Sequence, residues 1–268
     1  MTKIRLQGLS PVSETLLLPL YWRAAESQRP DAVLKDDKAL ELVNALDYDF
    51  AQLKGQAFDQ LTTAMRSRQF DRCARAFLSQ HPHGVVVQLG CGLDTRFYRV
   101  DNGTVQWYDL DLPEVIAFRR QLLPETERCR FLASSALDYS WMDAVGDPAG
   151  RAFLFLAEGV LMYLEPAQVR DLVLALRDRF PASELMFDAL SPLAIWIHRL
   201  NPAVRKVAQQ LHWALRDHRE LERWGAGIRL LNAWSYFEEP EPRLGWARLL
   251  RLIPLLRNEA LILHYRLQ

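Results

Sequence analysis

The chain has 268 residues, half of them hydrophobic and a quarter charged, with 33 basic and 33 acidic residues and no formal net charge. That is the profile of a globular protein with ample material for a core. It carries no global field to draw in nucleic acid, and no Lys-rich tail or RNP-like motif supplies a local one.

Met1 to Ser10 contains no apolar h-region of the signal-peptide kind. The stretch Leu16-Leu17-Leu18-Pro19-Leu20 is far short of the ~20 apolar residues that a membrane span requires. Cys73, Cys91 and Cys129 stand apart without a CxxC pair, and the histidines are scattered, with His81-x-His83 flanking Pro82 in an expected loop. These features speak against a disulfide framework or a metal site and for a reducing, cytoplasmic setting. Nothing in the sequence sets an oligomeric state.

Residues 1–58 alternate helical and irregular stretches, with turn signals at Arg29-Pro30-Asp31 and Leu53-Lys54-Gly55. A helix follows, with Asp59 as its expected N-cap and Phe70, Cys73, Ala74, Phe77 and Leu78 at helical spacing on one face. On the same helix Asp71 and Arg75 read as an i,i+4 pair, and Arg68, Arg72 and Arg75 as a solvated face. From there strands alternate with helices. Val85 to Leu89 is a β-branched strand stopped by Gly90, and Val105 to Leu110 is a second, with Pro113 opening the helix after it. Arg130 to Ala133, Ala152 to Ala157 and Glu184 to Ala189 follow as strands. Between the last two, Pro166 starts a helix whose buried face is Val169, Leu172, Val173 and Leu176. Repeated alternation with apolar strands predicts an α/β fold with a parallel sheet covered on both faces. Ser191 to Trp224 reads as helical, and Ile228 to Ala233 and Ala260 to Arg266 are the closing strands.

Gln88-Leu89-Gly90-Cys91-Gly92-Leu93-Asp94-Thr95 carries the chemistry. A strand running into Gly-x-Gly lets a nucleotide approach the backbone where a Cβ would collide. The next strand ends Asp109-Leu110-Asp111, which places two carboxylates 17 and 19 residues past Gly92, within reach of ribose hydroxyls. The third glycine of the dinucleotide fingerprint is replaced by Asp94-Thr95. That glycine packs the helix that meets a pyrophosphate, and an anionic Asp94 there would repel one. S-adenosylmethionine (SAM) has no pyrophosphate, so the departure favours SAM over NAD. A turn with no ligand is the alternative.

Three stretches, Gln88-Leu-Gly-Cys-Gly-Leu-Asp-Thr-Arg96, Asp109-Leu-Asp-Leu-Pro113 and Ala157-Glu-Gly-Val-Leu-Met-Tyr-Leu164, resemble the leucine carboxyl methyltransferase family in its bacterial branch of small-molecule O-methyltransferases, the tetracenomycin type. Thr15 to Arg23 and the helix around Arg66 are similar to the same branch, so the likeness runs over roughly residues 13 to 190, with Ala260 to Arg266 as a closing strand. The resemblance implies a Rossmann-like class I SAM-dependent methyltransferase fold with a mostly parallel seven-stranded sheet, its last strand antiparallel. It also implies that Arg66 holds the SAM carboxylate, Gly90 the turn, Asp111 the ribose, and Glu158 the region near the methionine moiety. Cys91, Gly92, Asp109 and Gly159 complete the expected cofactor set. The family shows Asp-Leu after strand three, where this chain reads Ser135-Ala136-Leu137-Asp138, so the adenine contact falls to Asp138 or to the backbone near Leu137.

Spacing alone also singles out Arg66. It lies four residues before Phe70 and seven before Cys73, on the inward face of its helix. A guanidinium there needs an anion, either a SAM carboxylate or an internal carboxylate such as Glu158. Glu158 itself follows a wholly apolar strand at its carboxyl end, where a structural role alone is poorly served.

The expected activity is transfer of the SAM methyl group to a carboxylate or phenolic hydroxyl of a small molecule. A carboxylate acceptor needs no base at neutral pH, whereas a phenol is helped by one, with His198 and His212 as candidates; Tyr163, as packing or as an acceptor contact, is the third candidate catalytic residue. Trp196 and Trp213 accompany these histidines, and for Trp196 and His198 the plain reading is packing. The expected layout is one domain: a helical segment over 1–80, a SAM-binding core over 81–190, a helical acceptor lid over 191–224, and closing strands over 225–268. An NAD(P)-dependent oxidoreductase or a catalytically silent SAM-binding protein are the rival functions.

Overall fold

The computed structural model describes residues 3–5, 16–53, 57–200, 205–252 and 259–268. The chain divides into two units, Met1–Asp138 and Tyr139–Gln268.

In the first unit, helices α1 (Leu17–Ser27), α2 (Asp37–Ala45) and α3 (Ala57–Gln80) precede an alternation of β1 (Val85–Leu89), α4 (Arg96–Val100), β2 (Gln106–Asp111), α5 (Pro113–Leu122) and β3 (Cys129–Ala133). The strands pair in parallel in the order β3-β2-β1, with Val85 opposite Gln106 and Trp107 opposite Cys129. β1 is buried along its whole length, as a β-branched run covered on both faces should be. α1 packs on α2 and α3. α2 is capped by Asp36, whose carboxylate accepts the Ala39 amide at 3.0 Å.

α3 buries Phe70, Cys73, Ala74, Phe77 and Leu78, the face its spacing predicts. It begins at Ala57, so Asp59 lies inside its first turn, where a carboxylate meets the positive end of the helix dipole, and is not the N-cap. The expected Asp71–Arg75 pair does not form. Arg75 donates to the Arg99 carbonyl at 2.7 Å, and Asp71 is turned inward with no exposed surface. Arg68 is half-buried, unlike exposed Arg72 and Arg75. The turn at Lys54-Gly55 lies outside the described residues.

The second unit holds α6 (Trp141–Ala144), β4 (Phe153–Ala157), α7 (Pro166–Arg179), β5 (Ser183–Leu190), α8 (Pro192–Leu200), α9 (Arg205–Ala208), β6 (Ile228–Ser235) and β7 (Ala260–Leu267). β4 and β5 pair in parallel, β7 runs antiparallel to β5, and β6 antiparallel to β7, with a bulge between Leu230 and Asn232. α7 buries Val169, Leu172, Val173 and Leu176. Aromatic rings fill the core: Phe153 and Phe180 lie 4.7 Å apart, and Phe187 stacks on Tyr265 at 5.9 Å. Among the described residues of 191–224 only α8, α9 and a 3₁₀ turn at Glu220–Arg223 are helical; residues 211–217 are irregular and hydrogen-bond to other segments, Leu215 to the Leu190 carbonyl at 2.9 Å among them. Among the described residues the strands number seven, mostly parallel with the closing pair antiparallel, and no helix is long and apolar enough to cross a membrane.

Candidate cofactor site

β1 delivers the chain into a turn that only glycine enters readily. Gly90 has φ of 62° and Gly92 of 49°, in the left-handed region where a Cβ crowds the backbone. The turn is stitched to the end of β2. The Cys91 amide donates to the Leu110 carbonyl at 3.0 Å, and the Gly92 amide to Asp111 Oδ2 at 2.7 Å. Asp111 Oδ1 accepts the Leu112 amide, also at 2.7 Å. Each carboxylate oxygen has therefore taken one amide and keeps a second acceptor position. Burial pushes the Asp111 carboxyl above its ordinary value, against the lowering effect of these two amides and of Arg119.

Asp109 and Asp111 look equivalent in the sequence, and the structure separates them. Side chains two apart on a strand share a face, but Asp109 lies deeper, at 1 % exposure. Its Oδ1 accepts from the Trp107 indole at 2.8 Å and its Oδ2 from Arg119 at 2.5 Å. Burial raises its carboxyl despite both partners. Asp109 is thus engaged in the interior, leaving Asp111 as the carboxylate at the strand end. Cys91 is buried within the turn, and burial pushes its thiol well up, so it is inert as a nucleophile.

After β3 the chain makes a tight turn. Leu137 donates to the Ser135 hydroxyl at 3.2 Å and Asp138 to the Ser135 carbonyl at 3.0 Å, while the Ser134 amide reaches the Asp111 carbonyl at 3.0 Å. Leu137 is half-buried and Asp138 exposed. Leu112 is an exposed apolar side chain next to Asp111. Arg66 lies on α3, half-buried.

Beneath the turn is a charged cluster that sequence reasoning missed. Asp94 does not project outward, where it would repel a ligand; it is buried. It pairs with Arg96 at 2.6 Å and Arg99 at 3.2 Å, and accepts from Gln88 at 2.7 Å. Burial alone would raise its carboxyl, but Arg96, Arg99, Arg23 and Gln88 together hold it well below the usual range. Asp71 binds Arg96 at 2.8 Å and Arg99 at 2.7 Å. Asp36 binds Arg99 at 2.5 Å, Arg23 at 3.1 Å and the Thr95 hydroxyl at 2.7 Å. Its carboxyl is likewise lowered, burial being outweighed by Arg99, Arg23 and Thr95. The sequence signal for this cluster was Asp94-Thr95-Arg96 standing where the third glycine would be, since three polar residues at a packing position require partners.

In the second unit, Glu158 follows β4 and is half-buried. Gly159 has φ of 69°, and its amide donates to Asp188 Oδ1 at 2.5 Å. Asp188, on β5 and buried, is a second residue the sequence did not single out. Tyr163 packs against Met162, Ile195, Ala208 and Leu211. His212 is exposed, with Nδ1 3.0 Å from Glu165 Oε1 and its amide on the Met162 carbonyl at 2.9 Å. His198 is half-buried on α8. Trp213 is a core residue, whereas Trp196 is 57 % exposed and does not pack as expected. Among the described residues no group of three or more His, Cys, Asp or Glu is placed to hold a metal ion.

Residues 17–176 match the family described as leucine carboxyl methyltransferase. The chain is 35 % identical over 269 residues, 98 % of each chain, to the tetracenomycin polyketide synthesis O-methyltransferase TcmP of Streptomyces glaucescens. It is 29 % identical over 242 residues, 82 % of this chain and 81 % of the other, to the S-adenosyl-L-methionine-dependent methyltransferase dpfgK of Gibberella zeae. Among solved structures, a putative S-adenosylmethionine-dependent methyltransferase from Listeria monocytogenes superposes with a TM-score of 0.53 at 12 % identity, covering 76 % of this chain and 99 % of that one.

Proposed function

The chain belongs to the leucine carboxyl methyltransferase family, and from that premise we propose that the turn at Gly90–Gly92 and the carboxylate of Asp111 bind the methyl donor. The chain is a SAM-dependent O-methyltransferase of class I fold acting on a small molecule. One observation carries the donor-site reading: the Gly92 amide and Asp111 are locked together by a single hydrogen bond of 2.7 Å, so glycine turn and ribose acceptor form one unit. The free acceptor positions on both Asp111 oxygens suit a vicinal diol. Exposed Leu112 and half-buried Leu137 offer apolar contact for a base, with the backbone at Leu137 and Asp138 near its edge.

In this reading Arg66 pairs with the donor's carboxylate, its planar fork matching that group. Gly90, Cys91 and Gly92 supply backbone, Glu158 and Gly159 serve the methionine portion, and Asp109 supports the site through Arg119. The donor, when bound, supplies a methyl group on a sulfonium that is already a good leaving group. The protein's share is alignment and exclusion of water, which is worth roughly 7–11 kcal/mol in well-oriented reactions. A carboxylate acceptor arrives ionised and asks nothing more. For a phenol acceptor, His212 is the group to take the proton: Glu165 faces its Nδ1 and leaves Nε2 available as the base. Tyr163 and His198 border the same unit as contacts for an acceptor.

Calorimetry with S-adenosylhomocysteine tests the donor site. Wild type binds, NAD does not, and Arg66→Ala and Asp111→Asn each weaken binding by roughly ten- to a hundred-fold, as expected for loss of a hydrogen bond to a charged group. Unchanged binding in both variants would remove the assignment. Transfer assays on matched carboxylate and phenol acceptors separate the two chemistries. His212→Gln slows phenol methylation and leaves carboxylate methylation unchanged.

A further inference from the structure

Two consecutive carbonyls of the glycine turn are each capped by a buried arginine from a different helix. The Gly92 carbonyl accepts from Arg119 Nη1, on α5, at 2.9 Å. The Leu93 carbonyl accepts from Arg23 Nη2, on α1, at 3.1 Å. Each guanidinium is anchored at its other edge by a buried carboxylate: Arg119 by Asp109 at 2.5 Å, Arg23 by Asp36 at 3.1 Å. Arg23 is 3 % exposed and Arg119 1 %.

Burying two guanidiniums merely to satisfy carbonyls is an expensive arrangement, since each ion is taken out of water. Its effect falls on two successive peptide planes, 92–93 and 93–94. Glycine at 92 has no Cβ to select one orientation of the plane that follows it, so the backbone there is intrinsically free to rotate. Arg119 fixes the first plane through its oxygen. Arg23 fixes the second, whose Asp94 amide is held by the Cys91 carbonyl at 2.9 Å. With both oxygens held inward, Gly92 keeps its amide on Asp111.

We propose that Arg23 and Arg119 are positioning residues of the donor site, a pair of braces that keep the Gly90–Leu93 turn in the one conformation that binds SAM. The proposal rests on the donor-site reading above. A turn that is only fractionally in its competent conformation binds its ligand more weakly by that fraction. Loss of a brace therefore acts on donor affinity and leaves the transfer step untouched once the donor is bound. A purely structural role would do the opposite: it would lower the unfolding midpoint and leave the affinity of the folded protein unchanged.

The experiment compares wild type with Arg119→Lys and Arg23→Lys. Both keep the charge beside Asp109 or Asp36, but an ammonium cannot span carboxylate and carbonyl in fork geometry. Circular dichroism first establishes that each variant is folded at the assay temperature. Expected is a rise of roughly ten-fold or more in the S-adenosylhomocysteine Kd and the SAM KM, the scale of one lost charge-assisted bond, with kcat at saturating SAM within about two-fold of wild type. Arg128→Ala, removing a surface partner of Asp101, leaves all three at wild-type values. If one lysine variant does not fold, the other still tests its own carbonyl. If neither folds, amide hydrogen exchange on the wild type decides. Gly92 and Asp94 amides, which donate to Asp111 and to the Cys91 carbonyl, exchanging only by global unfolding support the braces, and exchange by free local opening overturns them. Folded variants with wild-type Kd, or with reduced kcat at unchanged KM, also overturn the proposal. Absence of S-adenosylhomocysteine binding by wild type would instead sink the donor-site reading on which it stands.

Discussion

Below the glycine turn the interior is ionic, and in the second unit it is aromatic. Arg23, Arg96 and Arg99 face Asp36, Asp71 and Asp94 there, with exposures of side chains from 0 % to 9 %. In the second unit Phe153, Phe155 and Phe180 pack at 4.7 to 6.2 Å, and Phe187 meets Trp213 at 5.7 Å and Tyr265 at 5.9 Å. Aromatic packing is weakly directional and tolerates small shifts. Guanidinium–carboxylate pairs are directional, and a shift leaves a charge unpaired. The directional interior lies where backbone atoms must be held to a fixed geometry, and the tolerant one where burial suffices.

That contrast breaks most severely at Asp71. Asp71→Ala strips the bidentate partner from Arg99 and one partner from Arg96, both buried, and should cost about 4–5 kcal/mol of stability, near the top of the range for breaking a buried pair. Phe187→Ala in the aromatic interior should cost about 3–4 kcal/mol through lost burial and a residual cavity. Urea denaturation at pH 7 measures both, and equal sensitivity of the two variants to salt would erase the distinction between the interiors.

Acid sharpens it further. Asp36 and Asp94 have carboxyls held below the ordinary value of 3.8 in the folded state. The unfolded chain therefore takes up protons first. Their stabilisation is complete above pH 3.8 and is lost as pH falls below it, through the folded-state values. Asp109 and Asp111 are raised, so their contribution is fully present below 3.8 and fades as pH rises through their folded values. Denaturation midpoints should accordingly drop steeply below pH 3.8 in wild type. Phe187→Ala should keep that slope, and Asp36→Asn, itself destabilised at pH 7, should flatten it. A parallel acid slope in Asp36→Asn would show the cluster is not its source. The smallest effect is expected at Ala182, whose φ of 65° is costly for a residue with a Cβ. Ala182→Gly should stabilise by about 0.5–1 kcal/mol, visible as a slightly raised Tm.

The strands were legible because their apolar runs are local: Val85–Leu89 is recovered residue for residue, and the other six within two residues at either end. The buried face of α7 was legible for the same reason. The glycine turn and the pair Asp109/Asp111 were legible as a constellation, but not the division of labour between the two acids. That division depends on Arg119, ten residues away from Asp109 on the next helix. The charged cluster was the least legible part. Beyond local contacts such as those of Asp94 with Gln88, Arg96 and Arg99, its side-chain hydrogen bonds join residues 13 to 63 positions apart, and Asp71 offered a nearer partner in Arg75 that the folded helix does not use. The span 191–224 was misjudged because apolar residues at helical spacing also suit irregular chain pinned by carbonyls such as those of Met162 and Leu190.

The charged cluster also restricts how this sequence can drift. Arg99 is shared by three acids and Asp36 by two arginines and a threonine, so no member can be exchanged alone without stranding a neighbour. Substitutions there should be strongly epistatic: a double change that removes one cation with one anion costs less than the sum of its halves. Relatives that depart from this pattern are expected to have lost charges in pairs, arriving at an apolar filling through intermediates of low fitness. The glycines and Asp111 can be read one residue at a time, but the support beneath them varies only as a set.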